Sequence, residues 1–193
     1  MVGNGGTAAT DRVPALAGTL DFSRNHFELF GLPAHFRVDA AALERAYRDL
    51  QRAVHPDRFA GAGDAQKRLA LQASARANEA YRTLRDPVAR AEYLLSLRGL
   101  DAAADTDTRL SVAFLTRQLE RREAADEASD AHDAHALAAL IDDVRREADA
   151  IGAEVARLLD GGDREARPRV REWRFLVKLA DGLDALRATQ AGQ

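Results

Sequence analysis

The sequence predicts an all-α protein in which an N-terminal helical hairpin domain precedes a C-terminal three-helix bundle, the two lobes forming an L. Alanine, leucine, arginine and acidic residues dominate the 193 residues and only five are proline, a composition that favours helices. Apolar residues recur at intervals of three and four along the long segments, as in amphipathic helices. The small, acidic stretch 101–108 lacks that spacing and is interpreted as a linker. The expected divisions are an extension over 1–20, a first domain over 21–99, a linker over 100–109 and a second domain over 110–189.

The N-terminal extension, residues 1–20, is expected to be disordered. It is rich in glycine, alanine and threonine, without the basic start and apolar centre of a secretory signal. No apolar run approaches the ~20 residues that span a bilayer, so we expect a cytoplasmic protein with no membrane partner. The absence of cysteine excludes thiolate ligands, and the net charge of −3 gives no electrostatic argument for nucleic-acid binding. We expect no metal site and no cofactor.

The first long helix is expected over 40–54. Its apolar stripe consists of Leu43, Ala46, Tyr47, Leu50 and Val54. Arg45, Arg48 and Arg52 project from the opposite face. Asp39 is placed to cap the start of the helix. Pro56 ends it, because proline disfavours helical geometry at the preceding residue and has no amide hydrogen to donate.

The tripeptide His55-Pro56-Asp57 lies between this helix and a second one expected over 64–84. The proline pushes His55 out of the helix, so that the imidazole and the Asp57 carboxylate stand on a stiff turn. A rigid polar loop beside a basic helix face suits an acidic groove on a partner. This arrangement resembles the loop of a J-domain, the module that triggers ATP hydrolysis in a partner chaperone. The residues alone also allow a loop histidine without a role beside a merely solvated basic face.

Four further helices are expected after the hairpin. Asp86-Pro87 starts one that runs to Leu97, and Gly99 ends it. The second domain then has amphipathic helices over about 111–128 and 165–188, with Trp173 in their core. Between them, the regular apolar spacing from Leu137 to Leu158 predicts a third helix, which Gly161-Gly162 ends. Each large apolar side chain that they bury contributes about 1.5–3 kcal/mol, enough for the bundle to form its own domain.

The first helix of the bundle carries a second candidate site. A continuous arc of about 140° holds Leu115, Thr116, Leu119, Glu120, Glu123 and Glu127. Phe114, Gln118, Arg121 and Ala125 lie on a different side. An apolar patch rimmed by carboxylates could dock a partner with a hydrophobic face in basic surroundings. Periodicity alone favours Leu115 and Leu119 as core residues with the glutamates solvated beside them, and leaves Phe175 open between core and partner surface.

Short segments between Phe27 and Leu186 carry a resemblance to one family. They are Leu29-Phe30-Gly31-Leu32-Pro33, Leu50-Gln51-Arg52, His55-Pro56-Asp57, Thr83-Leu84-Arg85, Arg90-Ala91-Glu92-Tyr93-Leu94-Leu95-Ser96-Leu97, Ala113-Phe114-Leu115, Gln118-Leu119-Glu120 and Arg174-Phe175-Leu176. With them the chain resembles HscB, the J-domain co-chaperone of bacterial iron–sulfur cluster assembly. The tripeptide by itself indicates only a J-domain, over 21–99; the segment starting at Arg90 and the C-terminal segments are typical of HscB.

The resemblance implies two partners and assigns residues to each. The J-domain is expected to bind the DnaK-class ATPase HscA and stimulate its ATP hydrolysis, and the bundle to bind the scaffold protein IscU for cluster transfer. Stimulation is assigned to His55, Pro56 and Asp57, with Arg45, Arg48 and Arg52 supporting chaperone docking. The scaffold-binding positions are Leu115, Thr116, Leu119, Glu120, Glu123, Glu127 and Phe175.

Three departures from the family pattern affect those expectations differently. Thr116 stands where methionine is common, which weakens or moves the apolar contact. Arg58 replaces a frequent lysine after the tripeptide and keeps its charge. The N-terminal cysteine motif that binds zinc in some relatives is absent.

Three classes of function remain to be compared at this point. The first is a non-enzymatic co-chaperone that couples an ATPase to the iron–sulfur scaffold. The second is a general J-domain co-chaperone whose bundle takes another client, such as an unfolded polypeptide. The third is an enzyme with His55 and Asp57 as an acid–base pair, which lacks an accompanying nucleophile, phosphate loop or metal set in the sequence.

Overall fold

The computed structural model describes residues 23–100, 110–162 and 165–191. Its helices are α1 (His26–Leu29), α2 (Ala40–Val54), the 3₁₀ helix η1 (Pro56–Phe59), α3 (Asp64–Arg85), α4 (Pro87–Leu97), α5 (Val112–Asp130), α6 (Ala134–Asp160) and α7 (Ala166–Ala191). No strand occurs within these described ranges, and the predicted all-α class is confirmed. The expected extension and all of the expected linker except Leu100 lie outside the described residues.

The helices form two compact units that divide between Pro87 and Val88. The helix α4 therefore belongs almost entirely to the second unit, whereas its residues fall within the expected first domain, 21–99. Within the described part of the chain, no helix is long and apolar enough to cross a membrane.

In the first unit α2 and α3 form the expected antiparallel hairpin. Glu44 at the start of α2 contacts Tyr81 late in α3, while Gln51 near the end of α2 contacts Ser74. The short helix α1 also packs against α3, and Phe27 is fully buried. The hairpin places the loop between its two helices at one tip of the unit.

Local signals in the sequence set the limits of α2. The Asp39 carboxylate accepts hydrogen bonds from the amides of Ala41 at 2.8 Å and Ala42 at 3.1 Å, as expected of an N-cap. The helix ends at Val54, and His55 takes an extended conformation with φ −58° and ψ 129°. The predicted start and end of α2 are both confirmed, and His55 is the first residue of the loop after the helix.

In the second unit α6 and α7 pair along their length, and α5 packs against both. Their buried core includes Phe114, Ile141, Val155, Trp173 and Leu176. The helices α6 and α7 approach closely at Gly152, where an added Cβ would lie 2.9 Å from atoms of the Trp173 ring. Glycine is required there because any larger side chain meets a packed aromatic ring.

Turn residues end the helices of the second unit near the predicted positions. Gly162 follows α6 with φ +73°, a left-handed conformation that costs glycine little. Ser111 caps α5 by accepting a hydrogen bond from the amide of Phe114 at 3.2 Å. The helices α5 and α7 extend two and three residues beyond their predicted C-terminal ends, since fraying ends carry weak sequence signals. The helix α6 ends at Asp160, directly before the predicted stop at Gly161-Gly162.

Candidate functional site

The tripeptide forms the junction between α2 and η1. His55 caps η1, because its Nδ1 accepts a hydrogen bond from the amide of Asp57 at 3.3 Å. A ring nitrogen that accepts carries no hydrogen, so the hydrogen of the neutral ring is on Nε2. The same Nδ1 lies 3.5 Å from Oδ2 of Asp57. This contact is an ion pair only when the ring is protonated, and Nδ1 then no longer accepts the hydrogen bond from the Asp57 amide. The Asp57 side chain is 90% exposed and faces solvent.

Arg58 fastens the turn to the helix that precedes it. Its guanidinium Nη1 donates to the backbone carbonyl of Arg52 at 3.2 Å. That carbonyl belongs to the last turn of α2, where helices leave acceptors without internal partners. Hydrogen bonds thus hold the loop both at His55 and at Arg58. The charged residue after the tripeptide, Arg58, therefore has a structural partner on α2.

The basic face predicted on α2 is exposed to solvent along Arg45, Arg48 and Arg52. The Arg48 guanidinium lies 3.6 Å from the Glu44 carboxylate, and Arg52 pairs with Asp49 on the same helix. Exposed pairs of this kind contribute little to stability. Both arginines can therefore exchange these carboxylates for those of a partner at small cost.

On α5 the two leucines of the predicted arc face solvent. Leu115 is 48% exposed and Leu119 is 58% exposed, whereas Phe114, Gln118 and Ala125 are buried. The interpretation of Leu115 and Leu119 as core residues is therefore wrong, and the predicted division of the helix into two sides is confirmed.

The exposed side of α5 has an apolar half and an acidic half. Leu115 and Leu119 are followed at four-residue intervals by Glu123 and Glu127, so these four residues form one row on the helix surface. Thr116 and Glu120 are exposed beside the row. We call these six residues the α5 patch. A partner complementary to it needs an apolar side chain next to a basic one.

Phe175 of α7, which the sequence left open between core and partner surface, is partly packed and partly exposed. Its ring packs edge-on against buried Phe114 with 5.6 Å between the ring centroids, yet the residue remains 38% exposed. Because Phe114 precedes Leu115, this contact brings Phe175 to the N-terminal part of α5, near the apolar half of the patch. Trp173 is buried, as predicted.

An ionic cluster holds α5 on α6. The side chain of Arg121 is only 11% exposed, and its guanidinium lies 2.9 Å from the carboxylate of Asp143 and 2.5 Å from that of Glu147. The hydrogen bond from Arg121 lowers the pKa of Asp143 below its ordinary value. Because this cluster lies away from the patch, it fixes the helix without occupying the exposed leucines.

Sequence reasoning missed a polar cluster between α2 and α3. It consists of Tyr47, Gln51, Ser74 and Asn78, all partly buried and joined by hydrogen bonds. The available signal was Gln51 itself, a polar residue four positions after Tyr47 within the apolar stripe. Among the described residues, no group of three or more His, Asp or Glu side chains is arranged to hold a metal ion.

A helical hairpin with a His-Pro-Asp loop, followed by a helical bundle, defines a J-domain co-chaperone with a separate C-terminal domain. Family models agree with both parts: the DnaJ domain matches residues 25–93, and the HSCB C-terminal oligomerisation domain matches residues 110–184. The chain is 51% identical over 162 residues to the co-chaperone protein HscB homolog of Burkholderia multivorans, covering 83% of this chain and 93% of that protein. The chain belongs to the HscB family.

Another relative and two solved structures support the same assignment. The HscB homolog of Paraburkholderia phymatum is 50% identical, over 81% of this chain and 90% of that protein. The chaperone HscB of Vibrio cholerae superposes with a TM-score of 0.76 at 34% identity, covering 86% of this chain and 99% of that one. Human HscB gives a TM-score of 0.80 at 29% identity, covering 86% and 83%. The resemblance is confirmed, and the chain is a J-domain co-chaperone of iron–sulfur cluster assembly.

Proposed function

We propose that the chain couples two proteins, an HscA-type ATPase of the DnaK class and an IscU-type iron–sulfur scaffold. The first unit stimulates ATP hydrolysis by the chaperone, and the second unit delivers the scaffold. The observation that carries the proposal is the exposure of Leu115 and Leu119 on a helix that also buries Phe114. Two exposed leucines one helical turn apart, bordered by carboxylates, form the kind of apolar patch with a polar rim that marks a protein interaction site.

The stimulating surface in this proposal consists of the loop and the basic face of α2. His55, Pro56 and Asp57 present the signal, and Arg45, Arg48 and Arg52 guide and hold the chaperone. Supporting this, Asp57 is 90% exposed, and the three arginines are exposed on the helix that leads into the loop. Opposite charges across such an interface speed association and fix its orientation more than they raise affinity.

The scaffold surface consists of the α5 patch together with Phe175. Leucines and an aromatic ring supply the apolar area, while Glu120, Glu123 and Glu127 select a basic neighbour. Thr116 contributes a smaller and more polar contact than the methionine expected from the resemblance. An unfolded polypeptide as the client is the competing possibility, and its binding would depend less on Glu120, Glu123 and Glu127.

We further infer that the chain acts in the cytoplasm and catalyses no reaction itself. His55 and Asp57 both stand in solvent, at 56% and 90% side-chain exposure, where high dielectric weakens a proton-transfer pair. The imidazole Nδ1 is engaged with a backbone amide. These contacts suit a recognition loop better than an acid–base pair.

The test is a steady-state ATPase assay of the cognate HscA-type chaperone with its scaffold present. Wild type is compared with His55→Gln and with His35→Gln, which changes an exposed histidine elsewhere in the same unit. We expect stimulation by wild type and His35→Gln and its loss with His55→Gln. Equal stimulation by all three proteins contradicts the proposed mechanism. ATP hydrolysis by the purified chain alone contradicts its non-enzymatic role.

A further inference from the structure

A polar cluster joins α2 to α3 one helical turn before the tripeptide. We propose that two of its members, Gln51 and Asn78, are positioning residues that hold the His55-Pro56-Asp57 loop in its stimulating orientation. The inference rests on the proposed function of the loop and adds two residues to it.

The side-chain amide of Gln51 is engaged across the hairpin at both ends. Its Nε2 donates to Oδ1 of Asn78, and its Oε1 accepts from the hydroxyl of Ser74 at 3.2 Å. The same Oδ1 of Asn78 accepts from the Tyr47 hydroxyl at 2.8 Å. One oxygen of α3 therefore receives two donors from α2, while a hydroxyl of α3 donates back to α2.

Hydrogen bonds at this position specify geometry more than they add stability. Apolar side chains could hold two helices together equally well, because a hydrogen bond gained on folding replaces one to water. Apolar surfaces tolerate sliding and rotation, whereas hydrogen bonds weaken steeply when their angle departs from linear. A cluster with bonds in both directions therefore fixes the axial and rotational setting of α2 against α3.

The position of α2 against α3 affects the tripeptide because the same stretch of chain connects the cluster to the loop. Gln51 lies four residues before His55, on the last turns of α2, and the bond from Arg58 to the Arg52 carbonyl ties the loop to the same turns. On its other side η1 packs against α3. His55 thus connects α2 to η1, which packs against α3. A shift of α2 relative to α3 must therefore change the backbone conformation at the tripeptide.

The test replaces Gln51 with an apolar residue of similar length. In the ATPase assay with the cognate HscA-type chaperone, Gln51→Met is expected to lower maximal stimulation about 3- to 10-fold, as for substitutions that alter coupling between sites. The concentration for half-maximal stimulation should change little, because the basic face of α2 is untouched. Asn78→Asp keeps an oxygen that accepts from Tyr47 and Gln51, so this conservative variant should stimulate like wild type.

Two further measurements separate positioning from a merely structural role. The backbone amide signals of Asp57 and Arg58 in a ¹⁵N-labelled sample should move in Gln51→Met and stay in place in Asn78→Asp. The Tm of Gln51→Met should lie within about 4 °C of wild type, the shift expected for less than 1 kcal/mol in a small domain.

Several outcomes overturn the inference. One is wild-type maximal stimulation by Gln51→Met, and another is a loss that its unfolded fraction fully explains. If Gln51→Met fails to fold, Ser74→Ala removes one bond of the cluster and inserts the best helix former; unchanged stimulation by that variant also overturns the inference. When His55→Gln abolishes stimulation and Gln51→Met does not, only the positioning role fails. When His55→Gln stimulates like wild type, the proposed function of the loop fails.

Discussion

Truncating Leu119 to alanine tests the scaffold-binding surface with a magnitude that the structure supplies. The substitution removes three carbon atoms with their hydrogens. Their full transfer out of water contributes about 2.4 kcal/mol of free energy. Leu119 is 58% exposed, so a covering partner removes that share from water and the loss of binding energy is about 1.4 kcal/mol. This corresponds to an affinity about tenfold weaker.

Isothermal titration calorimetry of the purified scaffold into each variant measures that loss. The matched control is Leu71→Ala, because Leu71 is 62% exposed but lies on α3 of the other unit. The control removes a comparable amount of exposed apolar surface away from the patch. We expect wild-type affinity for Leu71→Ala and an affinity reduced about tenfold for Leu119→Ala.

The expected cost to folding is smaller, because most of the Leu119 side chain is already in water. Its buried share predicts a decrease in the free energy of unfolding of about 1 kcal/mol, which urea denaturation followed by circular dichroism resolves. Unchanged scaffold affinity of a folded Leu119→Ala protein would refute the reasoning. An equal loss in Leu71→Ala would also refute it, since the effect would then be unspecific.

The remaining predictions concern the interiors of the two units. Gly152→Ala should lower the free energy of unfolding by about 1–2 kcal/mol in urea, because its Cβ would lie 2.9 Å from the Trp173 ring; Gly182→Ala, on an open helix surface, should raise it by about 0.5–1 kcal/mol. Arg121→Met should cost about 2 kcal/mol in the same measurement, because it removes the hydrogen bonds to two carboxylates of α6. Burial lowers the pKa of His26 below 6.5, so below about that pH the unfolded chain binds a proton at His26 more readily than the folded chain does. Its free energy of unfolding should therefore fall as the pH drops below about 6.5, and His26→Gln should reduce that slope, whereas an identical slope would contradict the assignment.

The elements that the sequence predicts best are those whose signals are local. The limits of α2 follow from Asp39, Pro56 and a regular apolar stripe, all within the helix or beside it. The two sides of α5 follow from periodicity in the same way. Periodicity does not tell which of two apolar sides faces the interior, however, and the exposure of Leu115 and Leu119 required the positions of α6 and α7.

Contacts across helices could not be predicted for a related reason. The pairing of Arg121 with Glu147 and of Gln51 with Asn78 depends on how each helix is rotated about its axis. A rotation of a few tens of degrees leaves the apolar stripe buried but separates these atoms. Sequence patterns constrain burial more strongly than rotation, so they identify a helix face before they identify its partners.

The segment from Arg90 to Leu97, one of those that carry the resemblance to HscB, belongs to the second unit. Ala91, Leu94 and Leu95 are buried. Glu92 receives a hydrogen bond from Arg174 of α7 at 2.9 Å.

Just beyond this segment, Arg98 donates to the carbonyl of Leu159 near the end of α6 at 2.7 Å. These bonds attach α4 to two helices of the bundle, and Arg174 directly precedes Phe175 of the proposed scaffold surface. Glu92 and Arg98 therefore hold α4 on the bundle, and the segment has a structural role within the second unit.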